Sequence, residues 1–428
     1  MHPLILHHWH RFLGKVHRAR IAFLSKGFRQ SLSRARSGLG PSRLGARIPI
    51  EEQTCGAGKP GRPQLLFIDG TTPSPDRDSG SLRLFTLMRR LVDSGYAVDF
   101  LPDDNRAAGR YTADLMAAGI GVIAIPDVPS PSSWLRENHR RYRAVVVCRY
   151  HLARTWFPLL RCLPDRPRLV LDTVDLHHIR ELREARVRGN RALARAARRT
   201  RKWELAAVRD ADTVWVVSPV ERKALLDEVP GLSVEVIPNL HESKAGVPPH
   251  ENRSGILFVG SGRHPPNQDA VDWFVRDILP LVRRKLIGCQ AHIVGEGLVP
   301  AGAESYGLVV HGHVEDMTPL LESCLVGIAP LRYGAGVKGK INQYMAHGVP
   351  VVATTCATEG MQLQDGLDVL EADTASAYAD AIIRLHNDPV LWQRLSTGGG
   401  INIDRHFSFE SALPSIHRTF GTPAAPRT

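Results

Sequence analysis

The chain has 428 residues, of which 43% are hydrophobic and 23% are charged, a composition typical of a folded protein with two or three domains. This composition excludes a wholly disordered chain, a collagen-like repeat and a small domain held together by disulfides. The 55 Lys and Arg against 43 Asp and Glu give a formal net charge of +12. A uniformly basic surface would indicate nucleic acid or an anionic membrane as the partner.

The positive charge is concentrated in two segments. Residues 1–50 contain ten Lys or Arg and no acidic residue, and residues 180–209 contain eleven Lys or Arg against three Glu. The rest of the chain is therefore mildly acidic. Residues 180–209 carry neither an aromatic stacking pattern nor a DNA-binding motif, so nucleic acid is not the expected partner. This segment is either a solvated helix face or a second contact for anionic lipid or a phosphate-linked acceptor.

The cysteines show no C-x-x-C pair and no spacing typical of a zinc site. We therefore expect free thiols in a reducing cytoplasm and no bound metal. No apolar run reaches the roughly 18 residues of a membrane-spanning helix. The six cysteines are Cys55, Cys148, Cys162, Cys289, Cys324 and Cys356.

Residues 1–30 have the periodicity of a basic amphipathic helix. Its apolar face would carry Ile5, Trp9, Phe12, Val16 and Phe23. Its basic residues, which point elsewhere, are Arg11, Lys15, Arg18 and Lys26. Such a helix is typical of segments that lie in a membrane interface, here an anionic inner leaflet. The alternatives are a disordered tail and a segment that is not natively translated.

From Gln64 onward, short apolar runs alternate with helical patterns, which indicates parallel sheets covered by helices. The strands expected in the first half are 64–69, 97–102, 122–126, 143–149, 168–174, 212–217 and 234–239. The helices expected between them are 81–95, 111–118, 151–162, 177–208 and 219–228. The strands expected in the second half are 255–260, 291–296, 307–312, 326–331, 349–354 and 368–372. Its helices are expected at 267–286, 315–323, 338–347, 374–387 and 390–398.

A polar segment with Pro and Gly interrupts the alternation at residues 240–254 and predicts an interdomain linker. We expect a basic extension and linker over 1–63, a first α/β domain over 64–239 and a second over 255–405. The tail, residues 406–428, is expected to pack back on the first domain. Two doubly wound domains place a ligand in the cleft between the carboxyl ends of their strands.

The segment after the fourth strand of the second half combines glycines with basic residues. It runs R-Y-G-A-G-V-K-G-K from Arg332 to Lys340 and leads into a helix. Gly334 and Gly336 let a ligand approach the backbone closely, and the helix N-terminus adds a partial positive charge. With Lys338 and the two flanking cations, this pattern is typical of a diphosphate site. The alternative is a structural turn with solvated lysines. The spacing fits neither a Walker loop nor a dinucleotide fingerprint.

This region resembles the donor-binding region of family 4 glycosyltransferases of the GT-B fold, and more closely a bacterial polysaccharide and O-antigen branch. The resemblance rests on R-x-G-x-G-x-K-x-K, on the helix ending MAHGVPVVAT and on the E-G-M that follows. It extends over about residues 64–405 and includes the segments 73–83, 171–184, 258–274 and 311–317. It implies two Rossmann-like α/β domains facing each other across a cleft. It also implies sugar transfer from a nucleotide diphosphate sugar with retention of configuration, without a metal or other cofactor.

The resemblance implies roles for single residues. Arg332 and Lys338 would stabilise the leaving diphosphate, with Lys340 either a third contact or solvated. Val314 and Glu315 would contact the nucleotide base. The remaining donor contacts would be Gly260, Ser261, Arg263, Gly334, Gly336, Gln343, Glu359 and Gly360.

The sequence departs from the family pattern at one pair of positions. Many members carry two glutamates eight residues apart, where this chain has Ala335 and Gln343. The amide of Gln343 can hydrogen-bond a ribose but carries no charge. The contact that a glutamate at 335 would make with the donor sugar is absent.

In the first half, the resemblance places Asp175 beside the transferred sugar, where it would stabilise positive charge at the anomeric carbon or orient a hydroxyl. His177 would then be the general base for the acceptor. The alternative is that Asp175 caps the following helix. A polar loop after the first strand is expected to edge the cleft on the acceptor side, with Asp76, Asp78, Ser79 and Gly80.

The pattern as a whole favours transfer of a sugar from a nucleotide diphosphate sugar to a glycan or lipid-linked acceptor in bacterial surface polysaccharide biosynthesis. The expected place is the cytoplasm, at the inner face of the cell membrane. Two alternatives stay open. One is a nucleotide-sugar epimerase on the same fold, and the other is a degenerate GT-B subunit that binds nucleotide or a partner without turnover.

Overall fold

The structure is a computed structural model that describes residues 3–37, 62–298 and 308–423. Most of the predicted linker before residue 64 lies outside these ranges. The chain forms two parallel sheets, each covered by helices on both faces. We call the part built on the first sheet the first domain and the part built on the second sheet the second domain.

The first sheet has seven strands in the order β3-β2-β1-β4-β5-β6-β7. They are β1 (Gln64–Asp69), β2 (Ala97–Pro102), β3 (Gly121–Val122), β4 (Ala144–Cys148), β5 (Arg168–Asp172), β6 (Thr213–Val216) and β7 (Val234–Val236). The helices are α2 (Ser79–Asp93), α3 (Arg110–Ala117), α4 (Pro131–Asn138), α5 (Tyr150–Leu160), α6 (His177–Val187), α7 (Arg191–Asp210) and α8 (Pro219–Glu228). Every residue of β1 and β4 is buried, because helices pack on both faces of the sheet.

The second sheet has six strands in the order β10-β9-β8-β11-β12-β13. They are β8 (Ile256–Val259), β9 (Ala291–Val294), β10 (Leu308–Gly312), β11 (Val326–Ala329), β12 (Val351–Ala353) and β13 (Leu370–Glu371). The helices are α9 (Pro265–Trp273), α10 (Leu279–Lys285), α11 (Thr318–Ser323), α12 (Gly339–Ala346), α13 (Thr355–Thr358), α14 (Ala375–Asn387), α15 (Pro389–Asn402) and α16 (Phe409–Phe420). The prediction of two Rossmann-like domains is confirmed.

Each predicted strand is found, and most are shorter than predicted, but two predicted helices are interrupted. The helix expected over 177–208 is split into α6 and α7 by Gly189, which has a φ of 62°, and by Asn190. The Asn190 side chain accepts from the Leu193 N–H and so starts a new helix. The helix expected over 267–286 changes to π-helix at Phe274–Ile278, just before Pro280, which has no N–H to continue the α-helical pattern.

The chain crosses between the domains twice, and the two crossings lie side by side. After β7 the chain enters the second domain, and after α15 it returns, so that α16 packs on the first domain as predicted. The Phe420 ring lies 5.2 Å from the Trp215 ring, and Trp215 donates to the Thr419 hydroxyl at 3.0 Å. At the crossings the His241 N–H donates to the Phe407 carbonyl at 2.8 Å.

The N-terminal segment forms α1 (Pro3–Ser37), which lies on α5 and α7 of the first domain. A polar face of the helix makes this contact. His7 Nδ1 lies 2.9 Å from the Thr155 carbonyl oxygen, and His17 Nε2 lies 2.9 Å from the Thr200 hydroxyl.

The predicted apolar face of α1 points outward. Trp9, Phe12 and Val16 are 52%, 59% and 53% exposed, respectively. Because the segment forms α1, the helical prediction for it is confirmed. No helix in the described ranges is both long and apolar enough to cross a membrane.

The packing of α16 yields a stability prediction. Phe420 is buried between Trp215 and Tyr96, so Phe420→Ala should lower the free energy of unfolding by about 3–5 kcal/mol. Urea unfolding followed by circular dichroism measures this. The control is Ile287→Ala at a side chain that is 94% exposed, which should change stability by less than about 0.5 kcal/mol. Equal stabilities of the two variants would contradict the packing.

Candidate active site

A cavity of about 740 Å³ lies between the carboxyl ends of the two sheets. The strand order of each sheet reverses beside its first strand, between β1 and β4 and between β8 and β11. The loops that diverge from these two points form the cleft, as expected for doubly wound domains. The sequence-predicted residues that line it are Asp76, Asp78, Ser79, Gly80, Asp175, His177, Gly260, Ser261, Val314, Glu315, Gly334, Gly336, Lys338, Lys340 and Gln343.

Four predicted site residues do not line the cavity. Arg332, an expected diphosphate contact, instead forms a two-pronged ion pair with Asp269, with Nε 2.8 Å from Oδ2. Arg263 pairs with Glu296 at 2.7 Å. The other two, Glu359 and Gly360, face the first domain. Glu359 pairs with Arg183, and a Cβ placed at Gly360 would lie 2.9 Å from the Ser218 Cβ.

Asp175 follows a strained turn at the end of β5. Val174 has a φ of 64°, a left-handed conformation that is costly for a β-branched residue and is most often found at functional sites. Its N–H donates to Asp172 Oδ1 at 3.2 Å. Asp172 Oδ2 in turn receives Arg83 Nη1 at 2.6 Å. A buried ion pair therefore holds the turn that presents Asp175 to the cleft.

The Asp175 carboxylate faces two cationic or titratable partners. Its Oδ1 lies 3.1 Å from His177 Nδ1, and its Oδ2 is paired with Arg180. Burial raises the pKa of Asp175, but attraction to Arg180 and then to His177 outweighs it, and the net shift is downward. Burial lowers the pKa of His177, although Asp175 opposes this. The arrangement holds an ionised carboxylate beside a neutral imidazole.

Asp175 does not cap α6. The residue before the helix is Leu176, which makes no side-chain cap. Instead, Glu204 of α7 accepts from the N–H groups of His177 and His178, each at 3.1 Å. Glu221 accepts from the Leu176 N–H at 3.1 Å. Two buried glutamates therefore satisfy the start of α6, which leaves the Asp175 side chain to the cleft.

The glycine-rich loop after β11 faces Asp175 from the second domain. Gly336 has a φ of 69°, and a Cβ placed there would lie 3.1 Å from the Asp175 Cβ. Lys338 is buried, and its Nζ donates to the loop carbonyls of Ala335 at 3.1 Å and Gly336 at 2.5 Å. Burial lowers the pKa of this ammonium. Lys338 therefore both holds the loop together and places a cation at the cleft.

Lys340 also lies in the cleft wall. Its Nζ donates to Asn267 Oδ1 at 2.7 Å and lies 3.9 Å from the centre of the Phe258 ring. Burial, together with repulsion from Lys338, lowers the pKa of Lys340 well below its usual range. Asn267 also donates to the Ser261 carbonyl at 3.0 Å. Of the two alternatives for Lys340, a solvated side chain does not hold, because its Nζ is bonded to Asn267.

Several cleft residues were not singled out from the sequence. Asn267 follows a Pro-Pro pair at the start of α9, which is a helix-start signal, but nothing in the sequence shows its side chain turned toward Lys340. Arg180 lies on α6 five residues after Asp175 and was included only in the basic segment. The other cleft residues of this kind include Arg149, Asn239 and His264.

Ion pairs join the two domains at the rim of the cleft. Arg110 of α3 pairs with Glu315 of the second domain and with Asp76 of the acceptor-side loop. Asp76 also lies 3.2 Å from His313 Nε2. Glu315 and Asp76, both predicted ligand contacts, thus meet across the cleft. Within the described ranges, no cluster of three or more His, Cys, Asp or Glu side chains is suited to hold a metal ion.

Glu181 is a buried acid of α6 that does not line the cleft. Its Oε2 has no hydrogen-bond partner among the described residues. Burial raises its pKa from 4.5 to about 7, so the folded state holds a proton that the unfolded state has already released.

The contribution of Glu181 to the free energy of unfolding should therefore fall as the pH rises from about 4.5 to 7. Glu181→Gln removes this contribution, so its stability should exceed that of the wild type above pH 7, by up to about 3 kcal/mol. Urea unfolding at pH 5 and pH 8 measures the difference. Burial also raises the pKa of Glu221 to about 7, so the variant keeps part of this dependence of the free energy of unfolding on pH. If the free energy of unfolding of Glu181→Gln depended on pH as strongly as that of the wild type, the raised pKa of Glu181 would be contradicted.

Comparison with known proteins adds to this geometry. The family model described as "Glycosyl transferases group 1" matches residues 253–388. Comparison with curated proteins gives no sequence match. Among solved structures, sucrose-phosphate synthase from Thermosynechococcus elongatus is similar with a TM-score of 0.60 and 16% identity over 83% of this chain and 98% of that one.

Two further structures are similar. Anabaena Alr3699/HepE in complex with UDP-glucose has a TM-score of 0.58 and 15% identity over 83% of this chain and 98% of that one. TarM, from S. aureus, has a TM-score of 0.55 and 16% identity over 68% of this chain. The match spans only 57% of the TarM chain. At these identities the likeness concerns the fold, and the chain has the GT-B fold, with a region in its second domain that matches the model of the group 1 glycosyl transferases.

Proposed function

We propose that this protein is a glycosyltransferase that moves a sugar from a nucleotide diphosphate sugar to a glycan or lipid-linked acceptor. The observation that carries the proposal is the cationic loop of Gly334–Lys340, which lies against Asp175 across the cleft. The family match over residues 253–388 supports the same chemistry. The Anabaena relative was solved with UDP-glucose, which supports a nucleotide diphosphate sugar as the donor here.

The donor diphosphate would bind at the second-domain wall. Breaking the bond between sugar and diphosphate leaves negative charge on the phosphate, which cations and N–H groups stabilise. Lys338 and Lys340 supply the charge, and the glycine loop and the start of α12 supply N–H groups. We propose that these groups serve without a metal. Arg332 would contribute only by leaving its pair with Asp269.

Asp175 and His177 would act on the sugar and the acceptor. An ionised Asp175 stabilises positive charge that develops at the anomeric carbon. His177 holds its Nδ1 toward Asp175, so Nε2 carries the lone pair that takes a proton from the acceptor hydroxyl. We propose retention of configuration and a role in bacterial surface polysaccharide biosynthesis. The epimerase and the subunit without turnover are the outcomes against which this proposal is tested.

The outward face of α1 supports a place at the inner face of the cell membrane. Trp9, Phe12 and Val16 of this helix are exposed together. The first 30 residues of the chain include Lys and Arg but no acidic residue. Aromatic and aliphatic groups enter the interface of a bilayer, and the basic residues attract anionic lipid. This arrangement would bring the cleft close to a lipid-linked acceptor.

Donor binding is tested with a thermal-shift panel of nucleotide diphosphates and nucleotide sugars. One nucleotide should raise the melting temperature of the wild-type protein, and Lys338→Ala should abolish most of this shift. With the matching donor and an acceptor glycan, Lys338→Ala should lower turnover on the order of 100-fold.

The matched control is Lys223→Ala, at an exposed pair with Asp227 on α8, which should retain wild-type binding and turnover. Interconversion of the donor sugar without an acceptor would indicate the epimerase. Nucleotide binding with no product would indicate the subunit without turnover.

Membrane binding is tested by flotation with vesicles of phosphatidylcholine containing 30 to 40% phosphatidylglycerol, roughly an anionic leaflet. The wild-type protein should float, and Trp9→Ser/Phe12→Ser should lose most of this binding because the buried apolar area is lost. Val390→Ser, at an exposed side chain of the second domain, is the control. Equal flotation of the two variants would contradict the role of α1.

A further inference from the structure

Helix α6 carries an arginine, Arg183, that contacts the second domain. Arg183 Nη1 donates to the Gly334 carbonyl at 2.9 Å. Its Nη2 donates to Glu359 Oε1 at 2.8 Å, and Nη1 also pairs with the other oxygen of this carboxylate. Arg183 and Glu359 are only about one-third exposed, at 33% and 34%. Such a two-pronged pair fixes direction as well as distance.

A second arginine of the same region supports this contact. Arg188, directly after α6, donates from Nη2 to the Tyr333 hydroxyl at 3.1 Å. Its Nη1 donates to the Ser25 carbonyl of α1 at 2.5 Å. We call the loop of residues 332–340 the donor loop. Two of its consecutive residues, Tyr333 and Gly334, are therefore both held by the first domain.

The position of Arg183 relates the donor loop to Asp175. Asp175 lies two residues before α6, and Arg183 lies six residues, or about 9 Å, beyond the first residue of the helix. Helix α6 is rigid, because Glu204 and Glu221 satisfy its start and because it packs along α7. Asp175 closely precedes the start of this helix, and Arg183, in its second half, holds Gly334. The loop then returns to Asp175 at Gly336, where a Cβ would lie 3.1 Å from the Asp175 Cβ.

We propose that Arg183 is a positioning residue that, through Glu359 and the Gly334 carbonyl, sets the donor loop against Asp175. This inference rests on the proposed function for its catalytic consequence. Arg183 does not line the cavity, so it acts through the loop and not on the substrate. Glu359, expected from the sequence to face the donor, acts here as the partner of Arg183.

The contact itself is tested by hydrogen exchange of the full chain, without substrate. Backbone N–H groups of residues 332–338 should exchange at least about 10-fold faster in Arg183→Gln and in Glu359→Gln than in the wild type. The double variant should exchange no faster than Arg183→Gln, because Arg183→Gln already removes both the pair with Glu359 and the bond to the Gly334 carbonyl. The charge exchange Arg183→Glu/Glu359→Arg should restore part of the protection, because it restores the ion pair but not the bond to the Gly334 carbonyl.

The matched control is the pair of Arg201 and Glu228, which has the same chemistry but joins α7 to α8 within the first domain. Arg201→Gln should leave exchange of residues 332–338 unchanged. If Arg183→Gln also left it unchanged, the proposed contact would be overturned.

The catalytic consequence is read from steady-state kinetics with the donor that the nucleotide panel identifies. Arg183→Gln should lower kcat on the order of 10-fold or more, with less than about a threefold change in KM for the donor, because misplacement affects the reacting geometry more than binding. The charge exchange should recover part of kcat. A change in KM alone, or no recovery, would overturn the positioning role. Absence of all sugar transfer by the wild-type protein would overturn the proposed function and leave the exchange result to decide the contact.

Discussion

The buried ion pair of Arg83 and Asp172 fixes the geometry on which the cleft depends. The two side chains are 2% and 0% exposed. Arg83 also donates to the carbonyls of Ile237 at 2.8 Å and Pro238 at 3.3 Å, where the chain leaves the first domain. One guanidinium thus joins α2, the end of β5 and the first interdomain crossing. Removing one partner from such a pair typically costs about 3–5 kcal/mol, because the other charge stays buried.

Each domain holds a set of buried charged groups near the cleft. The first domain brings buried carboxylates toward the cleft, with Glu204 and Glu221 at the start of α6 and Asp175 in front of them. The second domain brings Lys338 and Lys340. Burial raises the pKa of Glu221 and lowers the pKa of both lysines, so each set is held out of water at a cost. A ligand with a diphosphate at one end and an electron-poor carbon at the other complements both sets.

The architecture and the location of the cleft could be predicted from the sequence, because buried parallel strands leave continuous apolar runs and strand ends determine where loops meet. The glycine loop was predicted for a local reason, since its glycines and cations are consecutive. Arg332 was misplaced because its partner Asp269 lies 63 positions away, and no local pattern shows that pair. The capping of α6 by Glu204 and the role of Arg183 also depend on pairs far apart in the chain.

The adjoining interdomain crossings restrict how the protein moves. The link near His241 and the return near Phe407 touch each other, and Ser243 is bonded to Asp404 at 2.6 Å beside them. Because these two connecting segments touch each other, they act as a single pivot. The domains therefore lose most of their six relative degrees of freedom and keep rotation about that place. A rotation about this place that opens the cleft must break ion pairs that join the domains at its rim, such as that of Arg110 and Glu315. Salt would then favour the open cleft, because it screens these exposed pairs.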